Sequence, residues 1–471
     1  MIKHIIEKEL REIIGSTKFA ATFGVCALLI ILAFYVGARN YQVSLVQYEA
    51  AVAENLRQME GLTDWLMVEH HVFLPPKPVS ALVTGISNDI GRNITMHGRG
   101  ELISQDSRFN DDPIFAVFRF LDLNFIFQII LSLFAILFAY NAVNGEKEQG
   151  TLRLTFASAV PKDAYILGKI LGSFTALSVP LLVPILIGCL LLPVMGIPMS
   201  GADWGKLAII LLGGMLYFGV FLSLSVWIST ITHRSANSFL LMLIIWLFAV
   251  LIIPRSAVLT AGRAVDVLSV DEIATQKSKL NAQLWNEDRK KLSGFRSSPD
   301  ENDPEKMVTQ FQQFMQDLSE ERLSKLQDLS GRLQEQRRND QQLQEELALW
   351  LARISPATAF SLASMNLAGT STRLKQHYLD AAIAYQQTYA GFIKEKTGGL
   401  LREGGMVFRR IGGEENQPPP IDAHEIPAFN YQLPSFSESL QASVVDLGLL
   451  LLFNLIFFTG AFVSFLKYDV R

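Results

Sequence analysis

Residues 141–169 read NAVNGEKEQGTLRLTFASAVPKDAYILGK, a charged, glycine-punctuated segment set between two of the most apolar runs in the chain. FIFQIILSLFAILFAY precedes it and ILGSFTALSVPLLVPILIGCLLLPV follows it. A bilayer crossing needs roughly 17–25 apolar residues, and both flanks approach or meet that length. Four more runs of this kind occur, giving six spans near 20–36, 125–140, 170–194, 207–228, 239–253 and 444–466. The second and fifth are short, so residues 121–124 and Pro254 are expected to complete them.

Composition agrees with a membrane protein. Of 471 residues, 50% are hydrophobic and only 18% charged, with a mean hydropathy of +0.27. A net charge of -4 leaves no domain-wide basic field, which excludes a nucleic-acid partner. The two cysteines, Cys26 and Cys189, fall inside apolar runs and imply no disulfide framework.

Alternating through the spans puts Lys3, Lys8, Arg11, Lys18, Lys147, Arg153, Lys162, Lys169, Arg234, Lys467 and Arg471 on one side. The positive-inside bias makes that side the cytoplasm, with both termini on it. The connection 196–206 carries one lysine and faces out, and the long segments 37–124 and 255–443 are outside with it. Ile2, Ile5, Ile6, Leu10, Ile13 and Ile14 recur at helical spacing opposite Lys3, Glu7, Lys8 and Arg11, which predicts an amphipathic helix lying in the membrane surface. A cleaved secretory signal ending near Val36-Gly37-Ala38 is the rival reading; the length and amphipathicity of MIKHIIEKELREIIGS count against it.

The expected fold is therefore all-α and integral to the membrane. Residues 1–254 supply the interfacial helix, five spans, the outer loop 37–124 and the cytoplasmic segment 141–169. Residues 255–443 form an extracytoplasmic helical domain with a Pro-rich return linker, QPPPIDAHEIPAFNYQLPSF. Residues 444–471 form the sixth span and a short tail. Within the outer parts, the helical pattern continues over 42–67, then Pro75, Pro76 and Pro78 break it into a loop or small extended unit. Polar helices are predicted over 265–292 and 304–354. In the second, Met307, Phe311, Phe314, Leu318, Leu326, Leu329 and Leu333 recur at helical spacing, and the stripe Met307, Phe311, Phe314 and Leu318 should bury against a neighbouring helix, either 265–292 of the same chain or a partner's hairpin. Gly331 and the RRND stretch around Asn339 are the expected places for a bend or break.

Catalytic signals fail. Gly168-Lys169 lacks the earlier glycine and the following Ser/Thr of a phosphate-binding loop. Glu69-His70-His71 lacks a second ligand pair at helical spacing and reads as a solvated loop flank, not a metal site. No Gly-x-Ser-x-Gly elbow and no HExxH occur, and Asn93-Ile94-Thr95 is a glycosylation pattern that chance supplies easily. Among polar residues within the spans, Gln128 and Asp446 sit near the outer ends, where water is at hand. Asn454 is deeper and is expected to hydrogen-bond a neighbouring helix.

The opening segment is more structured than a turn needs to be. Gly150 is placed to stop one helix, Thr151 to cap a short new one, LRLTFASAV, and Pro161 to end it. Such a helix is either a lever for a cytoplasmic partner or a helix resting on the membrane surface, and the residues alone leave both open.

NGEKEQGTL resembles the Gly-Glu-(Lys/Arg)-Glu-x-Gly-Thr-Leu run that follows the second span in permease subunits of type-2 ABC exporters. Six spans, an amphipathic entrance helix and the tail KYDVR agree with that family. The insert between spans five and six and RISPATAFSLASMNLAGTS are similar to a bacterial subgroup with an enlarged extracytoplasmic helical domain. The resemblance implies a coupling helix in which Glu146, Glu148, Gly150, Thr151, Leu152 and Arg153 contact a separate ATP-binding subunit in the bacterial inner membrane. ATP and magnesium would sit on that subunit, and no cofactor or catalytic residue on this chain. It also implies a second permease chain, identical or related, a lipid environment, and export of a substrate. The alternative is a machine or sensor that transmits ATP-driven motion through the outer domain to an envelope protein, with nothing crossing.

Overall fold

A computed structural model of the protein describes residues 2–87, 90–91, 93–96, 104–105, 122–157, 160–294, 304–397 and 420–468. Among them, six helices are long and apolar enough to cross a membrane: Thr17–Met59, Leu123–Glu148, Lys162–Val194, Gly201–Ile231, Ser235–Ala264 and Phe436–Lys467, hereafter spans one to six. Each contains one of the apolar runs read from the sequence. The helix Ile2–Ile14 precedes span one, separated from it by a break at Gly15 and Ser16, where the Ser16 hydroxyl caps the Phe19 N–H.

Two compact units result: Met1–Ile253 with Arg353–Arg471, and Pro254–Ala352. In the first unit, spans approach closely where a side chain is missing. A Cβ at Gly188 of span three would lie 2.3 Å from Phe34 of span one, and one at Gly214 of span four would lie 2.4 Å from Phe127 of span two. Small residues replace the hydrophobic driving force that lipid-facing helices lack.

Spans two and five each contain a π-helical stretch, Ile126–Leu131 and Phe248–Ile252. Widening the helix frees carbonyls, and side chains take them up. Tyr217 Oη and Ser132 Oγ donate to the Gln128 carbonyl, and Ser355 Oγ donates to that of Ala249. Ser355 also opens the helix Pro356–Ala368, which ends at Gly369 with φ +68° and is buried at every residue but Asn366. This helix lies against spans four and six, where the Phe360 ring stacks on Tyr217 at 5.3 Å.

Gln128, Asn454 and Asp446, the polar span residues singled out in the sequence, all have partners. Gln128 donates to the Ala357 carbonyl at 2.7 Å and Asn454 to the Leu216 carbonyl at 2.9 Å. Asp446 departs from the sequence reading: it is fully buried and meets Arg353, not water. The sequence pattern missed this because the partner lies 93 residues away.

Of the two readings left open after residue 67, a loop or a small extended unit, the described residues give the second. His70–Phe73, Asn93–Met96 and Ser104–Gln105 form a three-stranded antiparallel sheet. Val72, Ile94 and Met96 bury against Tyr378, Tyr385 and Tyr389 of the helix Arg373–Lys396. His70 is thus no solvated loop flank. Tyr385 Oη donates to the Pro427 carbonyl at 2.6 Å, so the His70 Nε2 proton must point at Tyr385, leaving Nδ1 to face Asn55. Burial holds the imidazole down, to a pKa of about 4. Asn93-Ile94-Thr95 occupies the middle strand, with Ile94 and Thr95 buried.

The second unit contains the helices Val270–Ser293 and Pro304–Ala352. Leu284, Leu318 and Leu333 are buried, and Arg322 pairs with Asp288 at 2.7 Å while its guanidinium lies 3.9 Å from the Trp285 ring centroid. Of the expected stripe, Leu318 is buried within this chain and Phe311 stays 44% exposed on it; the Met307 side chain lies outside the described residues. One expectation is corrected here. The helix runs unbroken through Gly331 and Asn339, because one interior glycine costs only about 1 kcal/mol, less than a run of good helix formers and a packed face supply.

Candidate functional site

Span two ends in the short helix Asn144–Glu148; the chain then passes Gly150 at φ +71° and enters the helix Thr151–Ala157, and Lys162 opens span three behind Pro161. The left-handed backbone at 150 is the reason for glycine there. Thr151 stands inside the new helix, and its hydroxyl reaches the Glu146 carbonyl at 3.4 Å.

The sequence grouped six residues at this point, and they face two ways. Glu146 and Leu152 turn inward, with Leu152 only 2% exposed. Glu148, Gly150 and Arg153 are exposed and Thr151 is half-buried. Leu154, which the sequence reading left out of the set, is 70% exposed. A seven-residue helix with one leucine inside and the next but one outside is amphipathic, so a surface contact falls to Arg153 and Leu154 rather than Leu152.

The exposed helix is held by strong anchors on both sides. Toward spans four and five, the Val143 and Asn144 N–H groups donate to Ser229 Oγ at 3.0 and 3.1 Å, and Lys147 Nζ donates to the Thr230 carbonyl at 2.6 Å. Glu148 accepts from the Ser235 N–H and hydroxyl at 2.9 and 2.7 Å, placing a carboxylate on the first turn of span five.

Toward the N-terminal helix and span three lies a cluster of buried charge. Lys169 Nζ sits 2.6 Å from Glu9 and 2.9 Å from Glu146, with Lys169, Glu9 and Glu146 side chains 4%, 6% and 11% exposed. Glu146 also takes Lys8 at 2.8 Å and the Tyr165 hydroxyl at 2.6 Å. Two cations balance two carboxylates, which is the condition for keeping such groups out of water. Burial raises the Glu9 pKa and Lys169 opposes that rise. The helix Ile2–Ile14 therefore does more than rest on a membrane surface, since it packs on span three. A Cβ at Gly168 would lie 2.7 Å from Ile5 and one at Gly172 2.9 Å from Glu9. The pair Gly168-Lys169 is accounted for by close helix approach and a buried ammonium. The signal in the sequence was the G-x-x-x-G spacing of 168 and 172 beside a lysine in an apolar run.

No cluster of three His, Cys, Asp or Glu side chains suited to a metal ion occurs among the described residues. Cys26 is buried and Cys189 half-buried, both as free thiols. The arrangement ties the segment that carries the short helix, through hydrogen bonds and ion pairs, to the N-terminal helix and to spans three, four and five.

No curated protein matches the chain. A family profile described as ABC-2 family transporter protein matches residues 4–470. With six membrane-crossing helices and that match over nearly its whole length, the chain belongs to the ABC-2 family of transporter proteins, as a multi-pass membrane permease that partners ABC ATP-binding subunits.

Proposed function

We propose that this permease couples ATP hydrolysis on a separate cytoplasmic subunit to export of a substrate, and that Thr151–Ala157 is the docking helix for that subunit. The observation that carries the reading is the exposure of Arg153 and Leu154 on a short helix whose base is locked into the spans by Glu146, Lys147 and Glu148. Lysine and arginine bias between the spans supports a cytoplasmic position for it and for both termini. Closure of two ATP-binding subunits would press on two such helices, one per permease chain, identical or related.

Burying a leucine contributes about 1.5–3 kcal/mol, against about 0–1 kcal/mol for a surface ion pair, so Leu154 should dominate the contact. Leu154→Asp in the full chain, co-expressed with its ATP-binding subunit, should abolish co-purification and coupled hydrolysis, and Arg153→Gln should weaken them less. Wild-type assembly in Leu154→Asp would overturn the docking role.

A second reading, transmission of ATP-driven motion to an envelope protein without transport, draws support from the 49-residue helix Pro304–Ala352. At 1.5 Å per residue it reaches about 70 Å, far longer than a crossing needs. Reconstituted vesicles that hydrolyse ATP while moving no lipid or solute would favour it.

A further inference from the structure

We propose that Lys169, held between Glu9 and Glu146, is a positioning residue that makes the N-terminal helix Ile2–Ile14 travel with the docking helix and span three as one body. The inference rests on the coupling reading above. It goes beyond it by assigning the N-terminal helix to the moving part.

Three independent features lead there. First, the N-terminal helix is broken from span one at Gly15 and Ser16 although the two are adjacent in sequence, whereas on span three it is seated where Gly168 and Gly172 admit Ile5, Ile6 and Glu9 at the closest approach. Second, Lys169 is buried beside two carboxylates that come from different elements, Glu9 from the N-terminal helix and Glu146 from the segment leading to the docking helix. Third, Lys8 reaches Glu146 directly at 2.8 Å, so the N-terminal helix touches that segment without Lys169 as go-between.

Separating these elements would strand a buried ammonium with one carboxylate or none. Leaving a buried charge unpaired is strongly destabilising, whereas moving all the charges together leaves every pair intact. A push on the docking helix is therefore passed through Glu146 and Lys8 to the N-terminal helix, and Glu9 binds that helix to span three. The hinge of the movement falls at Gly15 and Ser16.

Two measurements on the full chain with its ATP-binding subunit test this. The neutral variant Lys8→Gln/Glu9→Gln/Glu146→Gln/Lys169→Met removes both cations and both carboxylates without stranding any. It should keep the wild-type Tm and co-purification of the subunit while coupled turnover falls on the order of tenfold, as for remote misplacement of a working geometry. A purely structural cluster would instead return turnover together with stability, and that result overturns the proposal. In the second, spin labels on Glu12→Cys in the N-terminal helix and Asp163→Cys in the first turn of span three, both exposed positions, report the distance between the two helices in a Cys26→Ala/Cys189→Ala background. That distance should stay the same with and without ATP, because the two helices move together. A distance that changes with nucleotide overturns the proposal even if the neutral variant does not fold. Failure of the wild-type chain to co-purify with any ATP-binding subunit would overturn the coupling reading itself, a result distinct from either of these.

Discussion

Arg353 grips Asp446 with one edge of its guanidinium, Nε to Oδ1 at 2.6 Å and Nη2 to Oδ2 at 3.2 Å, and Asp446 is fully buried. The fork fastens the start of the Pro356–Ala368 helix to span six. Removing one partner strands the other, at a cost of about 3–5 kcal/mol, whereas replacing both by apolar residues of similar volume is close to neutral. Asp446→Ala and Arg353→Met should each lower the Tm in detergent sharply, and Arg353→Met/Asp446→Leu should recover most of it. Two additive losses in the double variant would mean that the fork is not coupled.

Among the described residues nothing crowds Gly150, and its backbone stands at φ +71°. Gly150→Ala therefore costs about 1–2 kcal/mol through the left-handed conformation alone, and Gly150→Asn should cost less. Subunit co-purification should follow the order wild type, Asn, Ala. An alanine variant equal to wild type would show that the turn is not needed for docking.

His70 is protonated in the unfolded chain below 6.5 but in the folded one only near 4. The unfolded state thus binds more protons in between, so this histidine's contribution to stability is full above 6.5 and is lost as the pH falls toward 4. Around it stand His71, Asn55, Tyr385 and Tyr389, and among the described residues no carboxylate is hydrogen-bonded to the ring to favour the charged form. The Tm of wild type should fall more steeply across that window than the Tm of His70→Gln. Parallel pH profiles would refute the burial account.

Gly214→Ala drives a Cβ to 2.4 Å from the Phe127 ring, between spans four and two. Overpacking of this kind costs about 1–3 kcal/mol. The paired change Gly214→Ala/Phe127→Leu should restore thermal stability by clearing the ring, and failure to do so would place the strain elsewhere.

Much of the membrane part was legible in the sequence. The six spans are visible as apolar runs because hydrocarbon demands length and low charge from each helix separately. The turn at Gly150 is local backbone chemistry, which a single residue announces, whereas the short helix ends at Ala157 and Pro161 stands instead at the entrance to span three. The leucines of TLRL looked alike for the opposite reason. Leu152 and Leu154 have the same local pattern, and only the seating of the helix on Tyr165 and Phe465 through Phe156 decides which one turns inward.

The sequence by itself determined the class of the protein: a chain of apolar helices long enough to cross a membrane, an amphipathic entrance and a structured segment between spans two and three, carrying a run that resembles type-2 ABC permeases. Tertiary structure alone decided the rest. It turned Lys169 from a failed phosphate-loop lysine into the centre of a charge cluster, gave Asp446 its arginine, and built strand, tyrosines and histidine into one core around His70. Each of these joins residues far apart in the chain. Local periodicity records which face of a helix is apolar, but a buried charge is tolerable only when a specific partner arrives, and that arrival is a property of the packed whole.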